Sequence, residues 1–490
     1  MTTPVVATTD QELDAVLDAA AAASAPFAAM TPRDRARSLR AVADALDAAA
    51  GELVPLAHAE SRLPADPRLS GELGRTTFQL RLLSEVIDEG GHLEVTIDSP
   101  DPTWPAGGRP DLRRMLVPVG PVVVFAASNF PFAFSVAGGD TAAALAAGCP
   151  VVLKAHPGHP RLSARTGEIV AAALAASGAP AGAFAVVHGE SAGRAAVLDP
   201  RIRAGAFTGS PTGGRALYDL ANSRATPIPF YAEMGSVNPV FVTSGAAAAR
   251  GADIADGYLG SYTLGAGQFC TKPGLLFVPA DAAPDLERQL AAALAERAGA
   301  PLLNERIADG YAQVLDTLTA HPAVRVLSAG RDNGDGPAPT LLGCTAADLF
   351  TWWHELVVEC FGPTSVVVRY ADDAELLACA RRFTGELTAT VHGEGGEPVA
   401  ATLLADLSDR AGRVLWNGWP TGVSVTYAMQ HGGPYPATTA PLHTSVGTTS
   451  LRRFLRPVCY QNVPQTLLPE ALRDGNPLEL PRRVDGTIQV

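Results

Sequence analysis

The sequence predicts an α/β protein built on doubly wound, largely parallel sheets. Short, continuously apolar runs such as residues 121–125 and 150–153 recur along the chain, as expected of parallel strands covered on both faces. Helix-like segments rich in alanine and leucine separate them, and this alternation is the pattern of βα units. The 490 residues suffice for two or three domains, each with its own core.

Residues 10–90 read as helical. Thr31 is a helix N-cap with Pro32 at the first helical position, and apolar residues follow at helical spacing through Leu46. Residues 70–88 repeat the pattern, with Arg75, Gln79 and Arg81 among the polar positions. Residues 98–108 are rich in Pro, Gly and Asp and mark a loop or boundary. Residues 112–118 are strand-like, 121–125 form a buried strand, and 137–147 form a small-residue helix. A second buried strand ends at Lys154. A helix over 163–176, a strand over 183–188, a short helix and a strand over 204–208 complete the first βα series. A second βα-rich region runs from about 240 to 435. In the last forty or so positions residues 452–458 suit a strand, and the proline-rich remainder suggests a tail packed on another subunit.

The composition narrows the function. Hydrophobic residues make up 47% and charged residues 18%, which fits a folded globular chain and not a disordered one. The formal net charge of -13 argues against a general nucleic-acid or anionic-membrane surface, where a basic stripe is expected. The N-terminal stretch carries acids and lacks a basic region, so no secretory signal is expected. No apolar run reaches the roughly 18 to 20 residues needed to span a bilayer. The six cysteines are far apart, so free thiols, a reducing cytoplasm and no metal cluster are the expectation.

Several clusters could carry chemistry, and each has an ordinary alternative. Cys270 follows the flexible Gly265-Ala266-Gly267 and suits a nucleophilic thiolate, although most free cysteines are small buried hydrophobes. Glu233 sits among apolar and small residues. Such a setting disfavours the charged form and suits a general base, although a structural carboxylate fits equally. Asn129, just past the strand at 121–125, can donate an amide N–H to an oxyanion or simply make a turn with Pro131. Thr208-Gly209-Ser210, with Gly213 and Gly214 beyond, forms a strand-to-helix turn of the kind that accepts a pyrophosphate, although it lacks the dinucleotide fingerprint.

Together these segments resemble the aldehyde dehydrogenase superfamily, in its order and over nearly the whole chain. The resemblance rests on Ser128-Asn129-Phe130-Pro131, on Lys154 at a strand end and on Phe207 through Ser210. It rests equally on Glu233 through Pro239, with Met234 and Ser236 substituted, on Gly267 through Cys270, and on Glu359, Phe361, Gly362 and Pro363. It implies a Rossmann-type cofactor domain (1–98 and 117–235), an α/β catalytic domain (236–440) and oligomerisation or bridging segments (99–116 and 441–490). It implies Cys270 as nucleophile, Glu233 as base and Asn129 as oxyanion donor. Lys154, His156, Pro157, Thr208, Gly209, Ser210, Gly214, Glu359 and Phe361 would hold NAD(P), with Glu359 on the nicotinamide ribose. The stretches around Gly71-Glu72-Leu73-Gly74-Arg75, Ala137 through Thr141 and Lys154-Ala155-His156-Pro157 resemble 2-oxoglutarate semialdehyde dehydrogenases.

That resemblance implies an aldehyde substrate bearing a remote carboxylate. Arg75 is the candidate to bind it, since a guanidinium makes paired charge-assisted bonds to a carboxylate, although a surface ion pair explains Arg75 as well. Gln79 and Phe130 are further candidates for the substrate wall. Many NAD-preferring members carry a glutamate three positions after the lysine, whereas Pro157 stands there. With His156, His159 and Lys154 nearby, NADP is expected to be preferred and NAD to be possible. A homodimer or homotetramer is expected from the family's strand-exchanging tail. The rivals are CoA-acylating or other semialdehyde dehydrogenases, a catalytically silent binding protein on the same scaffold, and a two-domain solute-binding protein.

Overall fold

The apolar runs become strands of three sheets in the computed structural model, which describes residues 5–489 apart from Ala106. Residues 1–4 and 490, which the expected division assigns to its first and last segments, lie outside the described residues.

The first sheet has five parallel strands, in the order Phe184–Val187, Val151–Lys154, Val122–Phe125, Ala204–Thr208, Phe230–Glu233. Counted from Val122–Phe125, chain order becomes third, second, first, fourth, fifth, which is the doubly wound arrangement with its switch point beside Val122–Phe125. All four side chains of that strand are buried, which explains why it reads as an unbroken apolar run. Helices cover both faces. On one of them Pro32–Ala48 is capped by the Thr31 hydroxyl, which accepts the Asp34 N–H at 3.1 Å. Ser70–Glu89 sends Leu73, Leu80, Leu83 and Ile87 into the same core as the alanine-rich helix Gly139–Ala147. Each such fully buried leucine or isoleucine contributes about 1.5–3 kcal/mol.

The second sheet has seven strands: Arg325–Ala329, Thr340–Thr345, Thr364–Tyr370, Leu275–Pro279, Val240–Val242, Glu386–His392 and Ala411–Trp416. All neighbours are parallel except the first pair, where the exposed edge strand Arg325–Ala329 runs antiparallel.

The third sheet departs in detail from the sequence expectation. Its order is Leu455–Gln461, Leu112–Pro118, Thr96–Asp98, Arg482–Val484, Thr487–Gln489. The proline-rich tail therefore adds two short strands, and Thr96–Asp98 joins them instead of the cofactor domain. Leu455–Gln461 pairs along its whole length with Leu112–Pro118 of its own chain and forms one edge of the sheet. Residues 437–454 also pack differently from the expected division. Thr438 bridges to Glu233, and Leu451 and Phe454 lie in the core of the first sheet. Among the described residues no helix is long and apolar enough to cross a membrane.

Candidate active site

The first and second sheets bring their strand ends to one crevice. Glu233 closes the strand Phe230–Glu233 and pairs in register with Thr208, and the Gly209 N–H donates to the Glu233 carbonyl at 3.1 Å. The candidate base and the candidate phosphate loop thus share adjacent strand ends on the carboxyl edge, where open α/β sheets bind ligands.

Cys270 is delivered by an unusual turn. After the helix Ser244–Thr263, the residues Gly265, Ala266 and Gly267 have φ of +56°, +55° and +68°. A Cβ on Gly267 would stand 2.1 Å from the Gly362 carbonyl oxygen, so only glycine fits. Polar side chains clamp this turn from below. The Asn238 amide donates to the carbonyls of Cys270 (2.9 Å) and Lys272 (3.0 Å). The buried Lys272 ammonium donates to the carbonyls of Cys360 (2.6 Å), Gly362 (3.2 Å) and Thr364 (2.6 Å), tying the Glu359–Pro363 segment to the nucleophile. Glu386 accepts the Ser236 hydroxyl and the N–H groups of Val237 and Asn238, the latter two at 3.0 Å. Sequence reasoning gave Asn238 no role of its own and missed Lys272 and Glu386.

Around the thiol, the Asn129 amide nitrogen donates to the Gln268 carbonyl at 3.2 Å, two residues before Cys270. The Cys270 sulfur lies 3.6 Å from His431 Nε2, and that nitrogen lies 3.4 Å from a Glu233 carboxylate oxygen. Glu233 and His431 are 3% and 1% exposed, so the carboxylate and the imidazole are largely screened from bulk solvent, whereas Cys270 is half-buried. Burial pushes the Cys270 thiol well above its ordinary range, and the Glu233 and Glu359 carboxylates push it further, so the resting sulfur holds its proton. His431 was not anticipated. It is 161 positions from Cys270, in a loop whose only sequence signal is the following Gly432-Gly433.

The cofactor candidates line the same crevice. Lys154 ends its strand beside Phe125, and burial lowers its ammonium while Glu190 supports the charge. Ser210 caps the helix Pro211–Asn222 by accepting the Gly213 N–H at 3.2 Å. Gly209 and Ser210 are exposed, Thr208 is half-buried and Gly214 is buried against Met234. Glu359 presses so closely on Gly235 that a Cβ there would be 1.9 Å from its carboxylate. Its carboxyl is pushed up to about 7, chiefly by burial and against the opposing pull of Lys272. Phe361 is half-exposed next to it. An exposed helix N-terminus, a lysine at a strand end and a switch-point crevice together fit a dinucleotide.

The histidines fit their expected role less well. His159 is buried and spends both ring nitrogens on Ala127 and Ser163. His156 accepts the Gly158 N–H, and burial holds it well below its ordinary range and therefore neutral. Pro157 is exposed. The cation that joins Lys154 here is Arg306, whose charge reaches both Lys154 and His156 and which the sequence gave no reason to select.

On the substrate side Phe130 packs edge-on to Phe134 and Phe269, with centroids 5.3 and 5.2 Å away. Arg75 lies over Phe134, 5.4 Å from its centroid. Its Nη2 lies 3.4 Å from the Val423 carbonyl, and its buried Nη1 has no hydrogen-bond partner among the described residues. The neighbouring Glu72 is already engaged by Arg68 and by the N–H groups of Phe132 and Ala133. A second guanidinium, Arg413, donates to the carbonyls of Pro420 (2.6 Å) and Gly422 (3.0 Å), and its Nε is likewise buried and unpartnered. Both arginines lie close enough to Cys270 for a thiolate there to raise them. Gln79 is buried behind Arg75 on the same helix, against Gly139.

Known proteins resemble this chain throughout. The model of the "Aldehyde dehydrogenase family" matches residues 2–436. "Alpha-ketoglutaric semialdehyde dehydrogenase 2" of Azospirillum brasilense is 48% identical over 459 residues, covering 92% of this chain and 87% of the relative. "Alpha-ketoglutaric semialdehyde dehydrogenase" of Acinetobacter baylyi is 43% identical over 490 residues, covering 97% and 91%. Among solved structures, PnpE from Pseudomonas sp. WBC-3 superposes with a TM-score of 0.78 at 22% identity, covering 96% of this chain and 93% of that one, a likeness of fold.

Proposed function

The chain belongs to the aldehyde dehydrogenase family, and we propose that it oxidises 2-oxoglutarate semialdehyde (2,5-dioxopentanoate) to 2-oxoglutarate with NADP as the preferred coenzyme. One aldehyde, one oxidised coenzyme and one water would give one carboxylate, one reduced coenzyme and two protons. The observation that carries the substrate assignment is the pair of half-buried guanidinium groups, Arg75 and Arg413, each with one buried nitrogen that has no hydrogen-bond partner among the described residues, on adjacent peptide carbonyls beside Cys270. A partly desolvated cation without a counter-ion is costly, and a substrate carboxylate would supply the missing charge. The names of the relatives from Azospirillum and Acinetobacter agree with this substrate.

In the proposed mechanism the Cys270 sulfur attacks the aldehyde carbon as its proton passes to Glu233, the carboxylate facing it. Asn129 turns its amide N–H from the Gln268 carbonyl to the developing oxyanion. Lys154, Ser210 and Glu359 would hold the coenzyme, which would supply the hydride acceptor. Glu233 releases that proton to solvent, takes another from the water that cleaves the thioester, and returns it to the departing Cys270 sulfur. Hydrolysis and not transfer to CoA follows from a base this close to the sulfur.

Members of the family use NAD(P). The NADP preference rests on charge. Pro157 offers nothing to repel a 2'-phosphate, and Lys154 and Arg306 outweigh Glu190 around that position. A homodimer or homotetramer is supported by the edge strand Leu455–Gln461, whose outer side is an open template for pairing. The six unpaired cysteines favour a reducing cytoplasm.

The test is an aldehyde panel with both coenzymes. The reading expects kcat/KM for 2,5-dioxopentanoate to exceed that for simple aliphatic aldehydes by about 100-fold or more, the worth of roughly 3 kcal/mol. Equal specificity constants would overturn the substrate assignment, and a preference for NAD above about tenfold would overturn the coenzyme assignment.

A further inference from the structure

His431 is the buried polar group in the crevice that the mechanism does not use. Its Nδ1 and both Glu233 carboxylate oxygens lack hydrogen-bond partners among the described residues, although both side chains are more than nine-tenths buried. With Cys270 they form a cluster in which the sulfur, one imidazole nitrogen and one carboxylate oxygen all lie within 4.8 Å of one another. We propose that Cys270, His431 and Glu233 form a binding site for a thiophilic divalent cation, of which zinc fits best, and that zinc there reversibly shuts the enzyme off.

The distances argue for zinc. Zn–S bonds of about 2.3 Å, Zn–N bonds of about 2.05 Å and Zn–O bonds of about 2.1 Å are usual. At tetrahedral angles these place S and N about 3.6 Å apart, N and O about 3.4 Å apart, and S and O about 3.6 Å apart. The first two match the 3.6 Å between the Cys270 sulfur and His431 Nε2 and the 3.4 Å from that nitrogen to Glu233. The third lies within 4.8 Å, so at most a small side-chain rotation completes the triangle. The donor set, one thiolate, one imidazole and one carboxylate, suits a borderline-soft ion and leaves the fourth position for water.

The backbone already holds the three donors in place. Asn238 fixes the Cys270 carbonyl, pairing with Thr208 fixes Glu233, and Thr444 and Ser445 fix the main chain of His431. Because little has to be ordered on binding, little affinity is lost to reorganisation. Cys270 is half-buried and not sealed, so the approach that admits an aldehyde admits an ion. Binding forms Zn–S, Zn–N and Zn–O bonds, breaks the S–H bond and releases that proton to solvent, with no change of oxidation state. The sulfur lone pair and the Glu233 carboxylate are then both occupied, so attack and hydrolysis stop together.

The binding claim stands on geometry, and only its consequence rests on the proposed oxidation, so binding is measured without aldehyde or coenzyme. Metal-free full-length enzyme is titrated with zinc against a chromophoric chelator and, separately, with cobalt(II). A single zinc per chain with micromolar or tighter affinity and a thiolate-to-cobalt charge-transfer band are expected. Cys270→Ala should abolish the band, and His431→Ala and Glu233→Gln should each weaken zinc binding by at least about tenfold, since even outer-shell changes cost 10–100-fold. Magnesium should compete with neither ion, because hard cations take oxygen ligands.

A measurement on the unmutated protein guards against variants that misfold. Zinc should slow iodoacetamide alkylation of Cys270 by about tenfold or more while leaving the exposed Cys459 unaffected, and a chelator should restore the rate. Failure of zinc to bind, equal affinity in folded Cys270→Ala and His431→Ala variants, or unprotected Cys270 would each overturn the site. Loss of the semialdehyde reading would leave these outcomes untouched.

Discussion

Replacing Arg75 by methionine removes a charge while keeping most of the apolar stem that lies over Phe134. Its Nη1 has no hydrogen-bond partner among the described residues, and the neighbouring carboxylate, Glu72, is held by Arg68 and two N–H groups, so the guanidinium is free to take an incoming anion. Two unit charges about 4 Å apart at an effective dielectric of about 20 attract by roughly 4 kcal/mol. Truncating one partner of a buried charged pair costs about 2–5 kcal/mol. A loss of about 2–4 kcal/mol corresponds to a fall in kcat/KM of roughly 30- to 1000-fold for 2,5-dioxopentanoate. Pentanal, of equal length and without charge, should change by less than about threefold, a few tenths of a kcal/mol. Initial rates of reduced-coenzyme formation on both aldehydes measure the difference. If the acid loses less than threefold, or if both aldehydes lose equally, Arg75 does not read the carboxylate. Arg413→Met in parallel shows whether the second guanidinium shares the charge.

Other expectations follow from the same geometry. Asn129→Ala should lower kcat by about 10²–10³ while leaving alkylation of Cys270 unchanged; a loss of only a few-fold would remove Asn129 from the oxyanion site. Glu233→Gln should lower turnover by about 10²–10⁴, because both the attack and the hydrolysis pass a proton to it; a loss of only a few-fold in initial rate would remove Glu233 as the base. Gly267→Ala puts a methyl 2.1 Å from the Gly362 oxygen at φ +68°, so denaturant melts should show a loss of at least about 1–3 kcal/mol. Glu386 gives a pH test, because burial pushes its carboxyl up to about 7. The folded chain then keeps a proton that the unfolded chain gives up near 4.5. Its contribution is therefore full below that pH and is lost as pH rises through about 7, by about 3 kcal/mol in all. Glu386→Gln mimics the neutral acid, so wild type should lose stability relative to it between pH 5 and 8. Parallel curves would refute that shift.

What could be read in the sequence, and what could not, divides along a physical line. Val122–Phe125 and Val151–Lys154 announce themselves because strands buried on both faces must be apolar throughout. The tail strands Arg482–Val484 and Thr487–Gln489 do not, because they are short, largely exposed and carry no alternation. Cys270, Glu233 and Asn129 stand at strand ends or in glycine turns, where local sequence marks them. The residues that orient them are different in kind. Glu386, Lys272 and His431 are buried polar groups, and hydrophobic patterning assigns such residues to the surface. Their partners lie far away: Glu386 is 149 positions from Val237, and Lys272 is 92 from Thr364. One sequence has no means of pairing residues at that distance. Arg413 shows the cost of this gap, since the substrate reading rested on Arg75 alone until folding brought both guanidinium groups onto the carbonyls of Gly422 and Val423. The candidate site was therefore legible from its turns, whereas its preorganisation is a property of contacts that exist only in the folded chain.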